Sequence, residues 1–223
     1  MDLSKSYDVF QPEKHPAKIH IVGCGSVGST VTEMLARNGL TKFVLWDFDV
    51  VEPKNLANQM FRQKDVGRPK VEAVRDMILE INPDAEDDIK LESKGWDGQQ
   101  LSGFVFLCVD NIELRRAIVE KNMDNPYVKA MFDFRTRLED AQHYAADWSD
   151  YKMKKDFLAS MEFSHEEAEE ETPMSACRIT LSVCPTVRMV CALGVANFMN
   201  FWNGKPIKKL VLIDAFNFML DAF

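Results

Sequence analysis

Gly23, Gly25 and Gly28 stand in G-x-G-x-x-G spacing, and Asp47 follows the last of them by 19 positions. Between a strand and a helix, glycines at these intervals let the backbone approach phosphates, and the helix N-terminus presents free amides to an anion. An acid at the tip of the second strand can accept hydrogen bonds from a ribose. The combination predicts nucleotide binding and leaves its kind open, because the same layout serves NAD(P)-dependent oxidoreductases and nucleotide-binding proteins of other chemistry. Lys70, at a helix start, and Asp110, at a strand end, are two further charged residues at the ends of elements. Taken singly, each has a plainer reading: a solvent-facing lysine in a helix first turn, and a cap for a helix starting near Ile112.

The elements that must hold these residues can be read around them. Lys18 to Val22 is a β-rich run ending at Gly23, Val27, Val31, Met34 and Leu35 share one helical face, and Lys42 to Trp46 is a second strand leading into Asp47. That is a βαβ unit, expected parallel and right-handed. Pro53, Asn55, Gly67 and Pro69 mark residues 48–69 as loop or short helical turns, and Val71, Val74, Ile78 and Ile81 mark a helix stopped by Asn82 and Pro83. Phe104 to Val109 suits a strand buried on both faces, Ile112 to Asn122 a helix, and Val128 to Phe134 a further strand. The alternation predicts one α/β domain over 1–223, a doubly wound Rossmann-like sheet with a parallel N-terminal half and mixed C-terminal strands. About 149–176 reads as a mobile crossover loop in which Glu162, Glu166, Glu167, Glu169, Glu170 and Glu171 form either a solvated acidic face or a dock for a basic partner. Cys177 to Trp202 reads as a buried helix disturbed at Pro185, and Lys209 to Ile213 as a closing strand.

The order of motifs narrows the nucleotide chemistry. Trp46 to Gln59, containing Asp47-Phe48-Asp49 and Asn55-Leu56-Ala57-Asn58-Gln59, resembles the D-F-D…N-L-x-R-Q segment of ThiF, MoeB and HesA proteins and of ubiquitin-activating adenylation domains. Gly67-Arg68-Pro69-Lys70 resembles their G-x-P-K, and Asp110-Asn111 with Arg115 their D-N…R. The resemblance implies an ATP- and Mg²⁺-dependent adenylyltransferase that activates the C-terminal carboxylate of a ubiquitin-like or sulfur-carrier protein. It implies that Lys70 contacts the phosphates, that Asp110 supports the metal, that Asn55 is a phosphate-side amide and that Asp47 binds the ribose. Gly23, Gly25, Gly28, Asp49, Asn58, Gln59 and Asn111 then belong to the nucleotide site. It also implies a homodimer, differently arranged here because no arginine-bearing helix precedes His15. Rival readings are a nucleotide-binding regulator or scaffold without turnover, and an NAD(P)-dependent oxidoreductase.

The chain departs from the pattern at Asn58, where the family carries an arginine. Another cation must then neutralise the phosphates, and Arg62, four residues on and so on the same face of a helical turn, is the first choice, with Arg68 the next. No zinc is expected: paired C-x-x-C motifs are missing, and Cys177, Cys184 and Cys191 recur every seven residues, about 10 Å apart on a helix. Cys177 matches the position where some ThiF-like proteins carry a cysteine that bonds the activated carrier, or else is a buried bystander. Cys24, Cys108, Cys184 and Cys191 read as packing residues, His20 as a satisfied residue of the first strand, and His143 and His165 lack partners at metal spacing.

Acidic residues outnumber basic ones 35 to 27, and the resulting net charge of -8 disfavours nucleic acid as a partner. No run approaches the roughly 20 apolar residues that cross a bilayer, and five cysteines form no small-domain disulfide framework. The expectation is a cytoplasmic protein.

Overall fold

A computed structural model of the chain describes residues 1–163 and 182–223. Strands β1 (Ile19–Val22), β2 (Phe43–Trp46), β3 (Lys90–Glu92), β4 (Gly103–Leu107), β5 (Val128–Thr136), β6 (Asp140–Asp147), β7 (Leu210–Asp214) and β8 (Met219–Ala222) form one sheet in the order 3-2-1-4-5-6-7-8. Pairing is parallel from β3 to β5 and antiparallel from β5 to β8. This is the parallel half with changed strand direction beyond it that the residue pattern predicts.

Side-chain alternation divides the interior into two layers. Ile19, Ile21, Phe104 and Phe106 pack toward α1 (Ser26–Arg37), α2 (Lys70–Ile81) and a long helix over Cys184–Trp202, here α5. Val22, Val105 and Leu107 face α3 (Ile112–Asn122) and α4 (Tyr151–Ala159). Fully buried Phe198 of α5 centres an aromatic cluster, its ring 5.2 Å from Phe104, 5.4 Å from Phe106, 5.6 Å from Phe132 and 5.4 Å from Trp202. Such offset and edge-on contacts add to area burial, and they fix α5 against the centre of the sheet.

Four readings of the sequence are corrected. Residues 151–159 lie in the span read as a crossover loop but form α4, whose Asp150 side chain caps Lys152 and Met153. Met153 and Phe157, one turn apart, are buried beneath it, with Met161 just beyond. Pro185 does not disturb the last helix but begins it, in the first turn where its missing N–H costs nothing. Lys209 to Ile213 does not close the sheet, because β8 pairs outside β7. Cys184 is half-buried at the helix start rather than a core residue. Neither β6 nor β3 was apparent from the pattern; β6 is rich in alanine and polar residues and is a strand because β5 and β7 pair with both its edges.

Candidate functional site

The sheet order reverses at β1, with β2 on one side and β4 on the other, and the crevice outside their carboxyl ends is where such folds take ligands. Gly23, Cys24 and Gly25 turn the chain there from β1 into α1. Gly23 has φ +92°, and a Cβ on it would stand 2.8 Å from the Cys108 carbonyl. A Cβ on Gly28 would stand 1.8 Å from the Gly23 carbonyl oxygen. These two glycines are required by close packing of turn, helix and β4. Gly25 differs: a Cβ there would meet only the Gln59 Nε2, at 4.0 Å. The first turn of α1, where backbone amides have no partners within the helix, therefore opens at Gly25 beneath the Gln59 amide. Gln59 Oε1 is buried without a hydrogen-bond partner among the described residues, an orphan of the kind that marks a ligand face.

Asp47 fastens the turn. Its Oδ2 accepts the Cys24 N–H at 2.6 Å and its Oδ1 the Asp49 N–H at 2.8 Å. Burial pushes its carboxyl above the ordinary range, opposed by these amides and by Lys70. Lys70 is the first residue of α2 and is buried, and its Nζ lies 2.7 Å from Asp49 Oδ2 while its N–H donates to the Asp49 carbonyl at 2.9 Å. The solvent-facing reading of this lysine is excluded. The strand tip after β2 and the start of α2 are joined further by the Val50–Pro69 bridge and the Val51 N–H donating to Arg68 at 2.9 Å. Asn55 is buried, and its Oδ1 accepts the Glu52 N–H at 2.8 Å. Asn58 ends that short 3₁₀ turn, half-buried. Ser29, which sequence reasoning passed over, ties this loop to α1: it donates to Gly25 at 2.6 Å and accepts the Met60 N–H at 3.1 Å.

On the β4 side, Asp110 is exposed and its carboxylate has no hydrogen bond or ion pair among the described residues. The helix cap is Asn111, whose Oδ1 accepts the Leu114 N–H at 2.7 Å. The capping explanation of Asp110 thus passes to its neighbour, and Asn111 spends its side-chain oxygen on the helix. Arg115 is buried; it donates to the Val109 carbonyl at 2.8 Å through Nε and pairs with fully buried Asp133. It fixes the backbone immediately before Asp110. Asp133 also takes Arg135, at 2.7 Å.

Arg62 does not share a helical face with Asn58. Residues 58–62 are not a helical turn, since one 3₁₀ turn ends at Ala57 and the next starts at Gln63. Arg62 instead pairs with Glu80 at 2.8 Å, its side chain 65% exposed. Glu80 lies ten residues along α2 from Lys70, about 15 Å down the axis. Arg68 is likewise engaged on the flank of α2, 2.6 Å from Asp76. Cys177 lies outside the described residues. Cys24, Cys108 and Cys191 are buried, with their thiols pushed up by burial. His20 is a satisfied strand residue that accepts the Trp46 Nε1–H at 3.1 Å. Among the described residues no three His, Cys, Asp or Glu side chains form a metal cluster, and no helix is long and apolar enough to cross a membrane.

Fold and site together define a Rossmann-type α/β protein whose crevice at the carboxyl ends of the strands carries a lysine on one wall and an exposed carboxylate on the other. Residues 10–223 match the ThiF family, and the chain belongs to it. Curated relatives include ubiquitin-like modifier-activating enzyme 5 of Caenorhabditis briggsae, 35% identical over 115 residues covering 45% of this chain and 27% of that one. The Arabidopsis thaliana protein of the same name is 34% identical over 124 residues, covering 45% and 28%. The matched part of the chain thus covers about a quarter of the length of these relatives. Solved structures of the same fold include E. coli MccB with ATP, at TM-score 0.73 and 17% identity, covering 97% of this chain and 66% of that one. PaaA superposes at TM-score 0.71 and 17% identity, covering 97% and 66%.

Proposed function

We propose that this chain uses ATP to adenylate the C-terminal carboxylate of a ubiquitin-like or sulfur-carrier protein. The observation that carries the reading is buried Lys70, paired with half-exposed Asp49 beside the crevice that Gly25 leaves open. The carboxylate oxygen forms a bond to the α-phosphorus, the bond from that phosphorus to the bridging oxygen breaks, and pyrophosphate leaves with its electron pair. Two anions must meet, so the protein has to supply positive charge and amides. Lys70 supplies the charge, Gly25 and the first turn of α1 the amides. Gln59 and Asp47 offer acceptors to hydroxyl or amino groups of the nucleoside. Mg²⁺, when bound, would spread phosphate charge, and exposed Asp110 would hold it together with phosphate oxygens, which suits an ion that takes few protein ligands. The homodimer belongs to the same proposal.

ATP–pyrophosphate exchange in the presence of candidate carrier proteins tests this reading. Exchange that depends on a carrier's free C-terminus supports it. A second reading, a nucleotide-binding scaffold without turnover, is favoured by one observation: Asn58 brings no charge, and both nearby arginines are committed to carboxylates on α2. ATP binding measured by calorimetry with no exchange for any carrier would select the scaffold.

A further inference from the structure

At the end of the sheet opposite the crevice, a groove of about 1250 Å³ opens where β4 and β5 begin and β6 ends. We propose that it binds an acidic peptide segment in which apolar residues are interleaved with carboxylates. This site is separate from the nucleotide crevice, about 15 Å away along the parallel strands, and the inference does not rest on the function proposed above.

Charge is the first argument. Five lysines and two aspartates line the groove, in a chain whose net charge is -8. Lys14, Lys129 and Lys205 are exposed and have no carboxylate partner among the described residues. Lys154 donates to the Met123 carbonyl at 2.8 Å and sits over the Trp148 ring, so its charge stays unneutralised. Asp147, one of the two acids, is turned to its own bend, accepting from the Ser149 N–H at 2.9 Å and its hydroxyl at 2.8 Å. Lys14, Lys129, Lys154 and Lys205 thus bring unneutralised positive charge to one concavity of a chain that is acidic on average.

Preorganisation is the second. Trp148 donates its ring N–H to the Asn122 carbonyl at 2.7 Å, and Trp202 to the Gln11 carbonyl at 2.9 Å. Asn125, buried behind them, donates to the Leu101 carbonyl at 3.0 Å. These bonds fix the walls, so little ordering remains to be done on binding. Between the lysines lie Phe201, Pro206 and Ile207, an apolar floor for uncharged side chains.

The same features choose the occupant. Among the described residues no arginine lines the groove, so the planar fork that grips phosphates in pairs is missing there. Asp124 and Asp147 oppose a continuous phosphate backbone, and the acidic remainder of the chain repels nucleic acid or an anionic bilayer spreading beyond the groove. The volume exceeds that of a typical small-molecule pocket. A peptide segment meets the lysines one carboxylate at a time and touches only the lining.

The experiment uses the full chain and a fluorescein-labelled peptide alternating Glu with Leu and Phe, read by fluorescence anisotropy. The comparators are the same peptide with Gln for Glu, a DNA duplex, and vesicles containing phosphatidylserine. The Glu peptide is expected to bind more tightly than all three. The double variant Lys129→Glu, Lys205→Glu, both positions being exposed, is expected to weaken binding by about tenfold or more with thermal melting unchanged. Equal affinity for the Gln peptide, or no effect of the double variant, would overturn the proposal. So would tighter binding of DNA or vesicles, or a peptide-independent change of oligomeric state in the variant.

Discussion

At the scale of the residue, charge at the crevice is divided between a buried cation and a free anion. Lys70 is held by one partner, Asp49, whose side chain is half exposed, so the ion pair contributes on the order of 1 kcal/mol or less to stability. Lys70→Ala should therefore cost little in folding while lowering ATP–pyrophosphate exchange by about 100-fold or more. Arg62→Ala should leave exchange within about threefold, since its guanidinium belongs to Glu80 at the far part of α2. Equal losses for the two variants would show that Arg62 leaves Glu80 when ATP binds. Asp110 gives a cleaner separation, because the helix cap resides in Asn111. Asp110→Asn should raise the Mg²⁺ concentration needed for exchange without moving the melting temperature. Asn111→Ala should do the reverse, costing about 1 kcal/mol of stability. Unchanged metal dependence in Asp110→Asn would remove that carboxylate from the metal site.

At the scale of the element, three identical glycine letters divide into two jobs, and the spacing alone could not tell them apart. Gly28 is where α1 passes the Gly23 carbonyl, so Gly28→Ala forces helix and turn apart and should lower stability by several kcal/mol, the range of overpacked or strained sites. Gly25→Ala meets open space and should fold normally but weaken ATP binding, its methyl projecting where a phosphate approaches. Melting curves and calorimetric titration of the two variants check this; a stable Gly28→Ala would undo the packing argument. The elements themselves were largely legible. Apolar runs such as Phe104 to Leu107 and the three- and four-spaced face of Val71, Val74 and Ile78 carry their own period. What escaped was held by neighbours instead: β6, whose alanines fit between two partners, and β8, whose residues are all exposed and gain structure from pairing with β7. For α4 the signal was present, in Asp150 before Met153 and Phe157, but the acidic stretch after it outweighed so short a period. Within the candidate site, Lys70, Asp47 and Asp110 could be singled out in the sequence because the proposed chemistry restricts residue type. The pairing of Arg62 with Glu80 was not, since partners in space across a loop and a helix leave no spacing to read.

At the scale of the whole molecule, two histidines set how stability responds to acid. Burial depresses His20 and His143 to about 4, Lys18 and Lys90 adding repulsion at His20. The geometry around His143 explains why charge is refused there. Its Nδ1 lies 3.0 Å from the Asp133 carbonyl, which can only accept, so the proton sits on Nδ1. Its Nε2 must then accept from Asn197 Nδ2 at 3.1 Å, and Asn197 is itself oriented by donating to the Lys208 carbonyl at 2.8 Å. A second proton on Nε2 would face two donors toward each other in a site closed to water, with only the nearby Asp133 favouring the charge. The unfolded chain takes up those protons below the ordinary histidine value of 6.5, while the native state does not until about 4. The unfolded state thus binds more protons across that interval, and stability is complete above about pH 6.5 and falls as pH drops toward 4. Carboxylates held low by ion pairs, such as Asp76 beside Arg68 and Arg75, withdraw their contribution only below their ordinary value of 3.8, beneath this window. Asp47, whose carboxyl is raised by burial, works in the opposite direction and blunts the fall. Thermal melts from about pH 7 to about pH 4.5 should therefore show a declining midpoint. His143→Gln, which has no second proton to take up, should start less stable at neutral pH and decline less steeply, each unit of removed shift being worth about 1.4 kcal/mol. Parallel slopes for wild type and variant would mean that His143 titrates alike in the folded and unfolded chain, and that acid acts elsewhere.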